Sequence, residues 1–173
     1  MLNELNETTI QRHLAQASPY TLFDAPLSVI HDKAASAKLG KKYWRVTVSF
    51  KFYVGAEIED TWVYVPEGYL TDGATTPKFL WWLLPPWGEY GQAAVVHDIL
   101  CDDLLIWKAG QLHAISRKEA DDIFYEAMKV AGVSFWKRWL MYGGVRLWDI
   151  LGFKANPERL ALKKQLIEEW QPQ

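Results

Sequence analysis

Lys42 to Val54 reads K-Y-W-R-V-T-V-S-F-K-F-Y-V, and its alternation decides the fold. Trp44, Val46, Val48, Phe50, Phe52 and Val54 fall on one side of an extended chain, and Tyr43, Arg45, Thr47, Ser49, Lys51 and Tyr53 on the other. A period of two with one apolar face is the pattern of a half-covered β-strand. Gly55-Ala56 is a turn, and Ile58 to Val65 returns as a second strand with Trp62 and Tyr64 on one side. An antiparallel meander with one covered face follows.

Outward from that meander, Leu27 to Ile30 reads as a short strand, and Ala34 to Lys42, A-A-S-A-K-L-G-K-K, as a loop without a buried face. Residues 1–25 form a polar extension in which Asn6 to Gln16 can make a short helix before Pro19. After Pro66 the period turns helical. Pro77 suits a first helical position, giving Lys78 to Leu84 as a helix stopped by Pro85-Pro86. Glu89 to Leu105 has apolar residues at helical spacing. Ser116 with Glu119 is a capping box opening Arg117 to Ala131, which Gly132 closes. Ser134 to Leu151 and Pro157 to Trp170 are the last two helices. The expected fold class is α+β: a small antiparallel β-meander followed by, and packed against, a helical half of four to five helices. The 173 residues make one domain, divided into the extension at 1–25, the meander at 26–66, a helical region at 67–155 and a C-terminal helix at 156–173.

A net charge of -2 and a pI near 6.1 provide no electrostatic footprint for nucleic acid. One cysteine, Cys101, excludes an intrachain disulfide and a cysteine-cluster zinc site. The N-terminus lacks the basic and apolar regions of a signal peptide. Val133 to Phe153, the best approach to a membrane span, is broken by Lys137, Arg138, Arg146 and Asp149, so no transmembrane segment is expected. Ten tryptophans in this length predict an exposed aromatic patch, and with it a protein partner.

The candidate site lies in V-P-E-G-Y-L-T-D-G-A-T-T-P (residues 65–77) and in A-A-V-V-H-D (residues 93–98). Asp72-Gly73 is adequately explained as an Asx-type turn. His97-Asp98, inside a helix with small apolar flanks, is not, because a carboxylate there needs pairing, hydrogen bonds or a metal. Asp121 can lean inward from its helix, whereas Asp122 aligns with Lys118 and Lys129 and faces water. Negative charge in a first helical turn also favours the macrodipole, which by itself accounts for Asp121. Asp72, His97, Asp98 and Asp121 together would supply oxygen ligands and an imidazole for a divalent metal: zinc, manganese, iron or magnesium. The metal-free alternative has Asp72 orienting His97 as a base, with Asp98 beside it. A structural His-Asp pair stands level with either. No nucleophile elbow, phosphate-cradling glycine loop or H-E-x-x-H motif is present.

These motifs, with S-R-K-E-A-D-D-I-F-Y-E-A-M (residues 116–128) and M-Y-G-G-V-R (residues 141–146), resemble the phage-associated domain-of-unknown-function family thirteen-fifty-three. The likeness covers roughly the middle two-thirds of the chain. It implies Asp72, Thr75, His97, Asp98, Arg117 and Asp121 as the polar positions, with Thr75 keeping the hydroxyl of the family's usual serine. It also implies a phage or prophage product made in bacterial cytoplasm, which the virion could carry. Two functions are expected on these grounds. One is a small metal-dependent or His-based hydrolase acting on a phosphoester or amide. The other is a non-catalytic virion, tail-accessory or host-factor-binding protein whose Asp/His cluster is structural. Peripheral membrane contact through Ser134 to Leu151 ranks third.

Overall fold

The structure, a computed structural model, describes residues 21–55, 61–73, 87–152 and 156–171. The expected helices at Asn6 to Gln16 and Lys78 to Leu84 lie outside the described residues, as does Thr75. Eight strands and five helices are described: β1 (Leu22–Phe23), β2 (Val29–His31), α1 (Lys33–Leu39), β3 (Trp44–Val46), β4 (Phe50–Tyr53), β5 (Thr61–Val65) and β6 (Leu70–Thr71) come first. They are followed by α2 (Gly91–Asp103), β7 (Leu105–Lys108), β8 (Gln111–Ala114), α3 (Arg117–Val130), α4 (Phe135–Ile150) and α5 (Pro157–Glu168). The fold is α+β, with the sheets built mainly from the first half and the helices from the second.

The Lys42 to Val54 stretch is two strands in two sheets. β3 lies between β2 and β6 in a three-stranded sheet, and β4 lies between β1 and β5 in a five-stranded sheet ordered β1-β4-β5-β7-β8. All pairings are antiparallel, with Phe52 opposite Val63 and Arg45 opposite Leu70. The chain bends at Thr47–Ser49, where Val48 is half exposed instead of buried. The bend has local partners: the Thr47 amide donates to Ser28 O at 2.9 Å, and the two hydroxyls meet at 2.7 Å. Val46, Phe50 and Phe52 keep their predicted place in the core, but Arg45 and Tyr43 are buried too. Arg45 is tolerated inside because Nε donates to Asp32 at 2.8 Å and Nη1 to Gly68 O at 2.7 Å.

The stretch expected as a loop at Ala34 to Lys42 is a helix instead. Asp32 Oδ1 caps it by accepting from the Ala35 amide at 2.8 Å, and Gly40, at φ 74°, closes it. Ala35 and Leu39, four apart, bury one stripe against Tyr43, Leu70 and Leu166. A hairpin, β7–β8, also interrupts the region expected to be helical. Its turn places Ala109 and Gly110 at φ 48° and 76°, the paired positive values of a tight two-residue connection.

The remaining helices match their signals. Ser116 and Glu119 form the capping box, with reciprocal bonds of 3.2 and 2.7 Å, and Gly132 (φ 78°) follows the end of α3. α2 packs against α3 and β5, and α3 against α4. The main core gathers Val46, Phe50, Phe52, Val65, Tyr90, Val95, Leu100, Phe124 and Met128 between the large sheet and these helices. α5 packs on α1 beside the small sheet. No helix among the described residues is long and apolar enough to cross a membrane.

Candidate functional site

His97 and Asp98 are successive residues of α2, so their side chains leave the helix about 100° apart. Each enters a different polar group. His97 Nε2 donates to Asp121 Oδ1 at 2.8 Å, and its ring stacks on Phe124 with centroids 4.7 Å apart. Cys101, one turn on, places Sγ 3.4 Å from the same nitrogen. Asp121 is 3% exposed, and its other oxygen accepts from Arg146 Nη1 at 3.1 Å. Arg146 also reaches Asp149 Oδ2 at 3.2 Å, and Arg117 Nε lies 3.9 Å from Asp149 Oδ1. The chain His97–Asp121–Arg146–Asp149–Arg117 thus ties α2, α3 and α4 together. Both Asp121 oxygens are occupied, which is what a carboxylate at that depth requires. Burial pushes the Cys101 thiol up to about 12, so it is held neutral and is no thiolate nucleophile.

Asp98 leaves α2 on the other side. Its Oδ2 accepts from Thr71 Oγ1 at 2.6 Å, and that hydroxyl in turn accepts from the Gly73 amide at 3.0 Å. Asp72 pairs with Lys41. Burial, reinforced by the nearby Asp72 charge, raises the Asp98 pKa well above the usual carboxylate range. One turn further, Asp102 accepts from the Tyr69 hydroxyl at 2.7 Å and from Lys163. The Lys163 ammonium, buried on α5, also donates to the Tyr69 oxygen at 2.9 Å and lies over the Tyr69 ring. Burial and then Asp72 push the Tyr43 hydroxyl up to about 12.

The residues expected to form one site therefore divide into two pairs. His97 meets Asp121; Asp98 meets Thr71 and feels Asp72. Arg117 touches Asp149 and reaches Asp121 only through Arg146. Among the described residues no three His, Cys, Asp or Glu side chains are grouped to hold a metal ion. Asp121 leans inward, as its helix face allows, while the partly exposed Asp122 takes Lys118 at 2.6 Å and Tyr142 at 2.6 Å. Asp102, Lys163, Tyr69 and Arg146 were missed by sequence reasoning. Asp102 alone carried a signal, standing four residues after Asp98 and so on the same helix stripe.

The outer side of α4 is apolar. Trp136 and Trp139 are 50% and 60% exposed, in line with the expected aromatic patch, and Trp148 joins them at 58%. Trp87 packs on the core, edge-on to Trp44; Trp81 and Trp82 lie outside the described residues. A shallow groove of about 400 Å³ between α3 and α4 is lined by Asp122, Tyr125, Glu126, Trp139 and Tyr142.

A family model described as "Protein of unknown function (DUF1353)" matches residues 44–145, from the first strand of the split pair into α4. No curated protein and no solved structure matches the chain.

Proposed function

The chain belongs to the DUF1353 family, and we propose that it works as a non-catalytic interaction protein whose Asp/His residues fasten helices together. The observation that carries this reading is the saturation of Asp121. Its two oxygens are committed to His97 and Arg146, from two different helices, at 3% exposure. A general base needs a free lone pair within reach of substrate, and Asp121 has both oxygens engaged, by His97 and by Arg146. The exposed aromatic side of α4 supplies the surface such a protein would present. In this reading the protein acts in bacterial cytoplasm or in a particle, bound to a virion component or a host protein, the setting that the family resemblance implies.

One observation favours the hydrolase reading instead. Asp98 is driven toward its neutral form beside the Asp72 carboxylate, and two carboxyl groups pushed apart in acidity are how folds set up an acid and a base. The test is a panel of phosphoester and amide model substrates, with and without added zinc, manganese, iron or magnesium. It compares the full chain with His97→Ala and Asp98→Asn, each checked for folding by circular dichroism. The interaction reading expects no turnover that either substitution changes. Turnover abolished in a folded Asp98→Asn variant would establish the second reading in its place.

A further inference from the structure

We infer that α4 docks antiparallel onto the α4 of a second copy of this chain, the two helices crossing at Gly143-Gly144. This rests on the interaction reading and gives the α4 face to a second copy, leaving a virion or host partner to another surface of the pair.

The helix is inside out. Its polar side chains turn toward the body: Lys137 donates to Glu89 at 2.7 Å, Tyr142 to Asp122 at 2.6 Å and Arg146 to Asp121 at 3.1 Å. Met141 is its one buried residue. The opposite side carries Trp136, Leu140, Leu147 and Ile150, exposed by between 43% (Leu140) and 71% (Ile150), with Trp139 and Trp148 on its two flanks. With ~200 Å² for a fully exposed large side chain, Trp136, Leu140, Leu147, Ile150 and Leu151 offer on the order of 560 Å² per copy, about 1,100 Å² for the pair, which clears the roughly 1,000 Å² a specific interface needs.

The arrangement along that face is symmetric about Gly143-Gly144: Trp136 and Leu151 stand equally far from the midpoint, as do Leu140 and Leu147. At 1.5 Å per residue Trp136 and Leu151 are each about 11 Å from the centre, and Leu140 and Leu147 about 5 Å. A two-fold axis through the glycine pair sets Trp136 of one copy beside Leu151 of the other, and Leu140 beside Leu147, twice over. Such self-complementarity is what an isologous interface requires and what an unrelated partner does not. A Cβ built on Gly143 or Gly144 meets nothing within 4 Å, so the midpoint is an open notch where two backbones can approach closely. A lipid surface fits less well. The helix's three cations are engaged inward: Lys137 with Glu89, Arg146 with Asp121, and Arg138 over the Tyr125 and Phe135 rings.

Sedimentation equilibrium of the full chain, with Leu140→Asp/Leu147→Asp as the variant, tests this. Both leucines point outward, so the variant keeps its fold, checked by circular dichroism. Expected are twice the 20.0 kDa chain mass for the parent at micromolar concentration and at least tenfold weaker association for the variant. In addition, Gly143→Cys should oxidise to a covalent dimer while His113→Cys, on the distant β8 edge, should not. A monomeric parent overturns the inference, and so does a dimer indifferent to the paired substitution. Either result leaves the substrate panel, and the reading it tests, untouched.

Discussion

Replacing Asp98 with asparagine should stabilise the protein, increasingly so as pH rises. An unfolded aspartate titrates near 3.9, whereas burial and the neighbouring Asp72 hold folded Asp98 well above that range. Between the two values the unfolded chain has already lost the proton that the folded chain keeps. The sign follows: this contribution is greatest below the unfolded pKa and is lost as pH climbs toward the folded one, at about 1.4 kcal/mol per pH unit. Asparagine is a neutral stand-in with no such loss, and its carbonyl oxygen can still accept the 2.6 Å bond from Thr71. The assay is urea unfolding followed by tryptophan fluorescence, from about pH 4 to about pH 8, on both proteins. Subtracting one curve from the other cancels every titration they share. The difference should grow with pH and level off once folded Asp98 ionises. A flat difference, or an asparagine variant less stable at neutral pH, refutes the reasoning and makes Asp98 an ordinary paired carboxylate.

Lys163→Met should destabilise by about 3 kcal/mol, since it strands the Asp102 carboxylate and the Tyr69 hydroxyl, and adding Asp102→Asn should recover part of the loss, both read by urea unfolding. Gly68→Ala should cost about 1 to 3 kcal/mol. Its φ of 87° disfavours a side chain, and the new Cβ would fall 2.4 Å from Trp170 Cε3, dislodging the ring that the Arg45 guanidinium covers at 5.4 Å. Gly40→Ala is the comparison. It shares the left-handed conformation but meets open space, so thermal melts should show a smaller loss; equal losses would remove the Trp170 contact from the account.

The α+β class was legible because long-period signals survive packing. A capping box, a proline after a meander and an alternating apolar run each act locally, and Ser116–Glu119, β4 and α3 follow them. What escaped depended on partners far along the chain. Lys42 to Val54 has unbroken alternation, yet β3 and β4 part because Arg45 finds Asp32, Gly68 and the α5 carbonyl of Leu166. None of these is visible from a two-residue period. α1 was missed because two buried residues, Ala35 and Leu39, make too short a stripe to register, although its Asp32 and Gly40 caps were in plain view. The β7–β8 hairpin needed Ala109 at positive φ, which composition argues against.

The candidate site was half legible. Helix geometry separates His97 from Asp98, and it also places Asp121 on the inward side of α3. That Asp121 would take His97, rather than Asp72, could not be read, because it depends on how α2 lies across α3. Nothing in the sequence separates Lys163 from the exposed Lys164 beside it. Only its 2.9 Å bond to Tyr69 and its pairing with Asp102 show why it is buried.

The most direct measurement is a double-mutant cycle of unfolding free energies for His97→Ala, Asp121→Ala and the pair. A structural tie between α2 and α3 predicts a coupling of about 1 kcal/mol or more, with the double variant less damaged than the sum of the single ones. Additive losses would contradict it, because the imidazole and the carboxylate would then be standing side by side without holding the helices together.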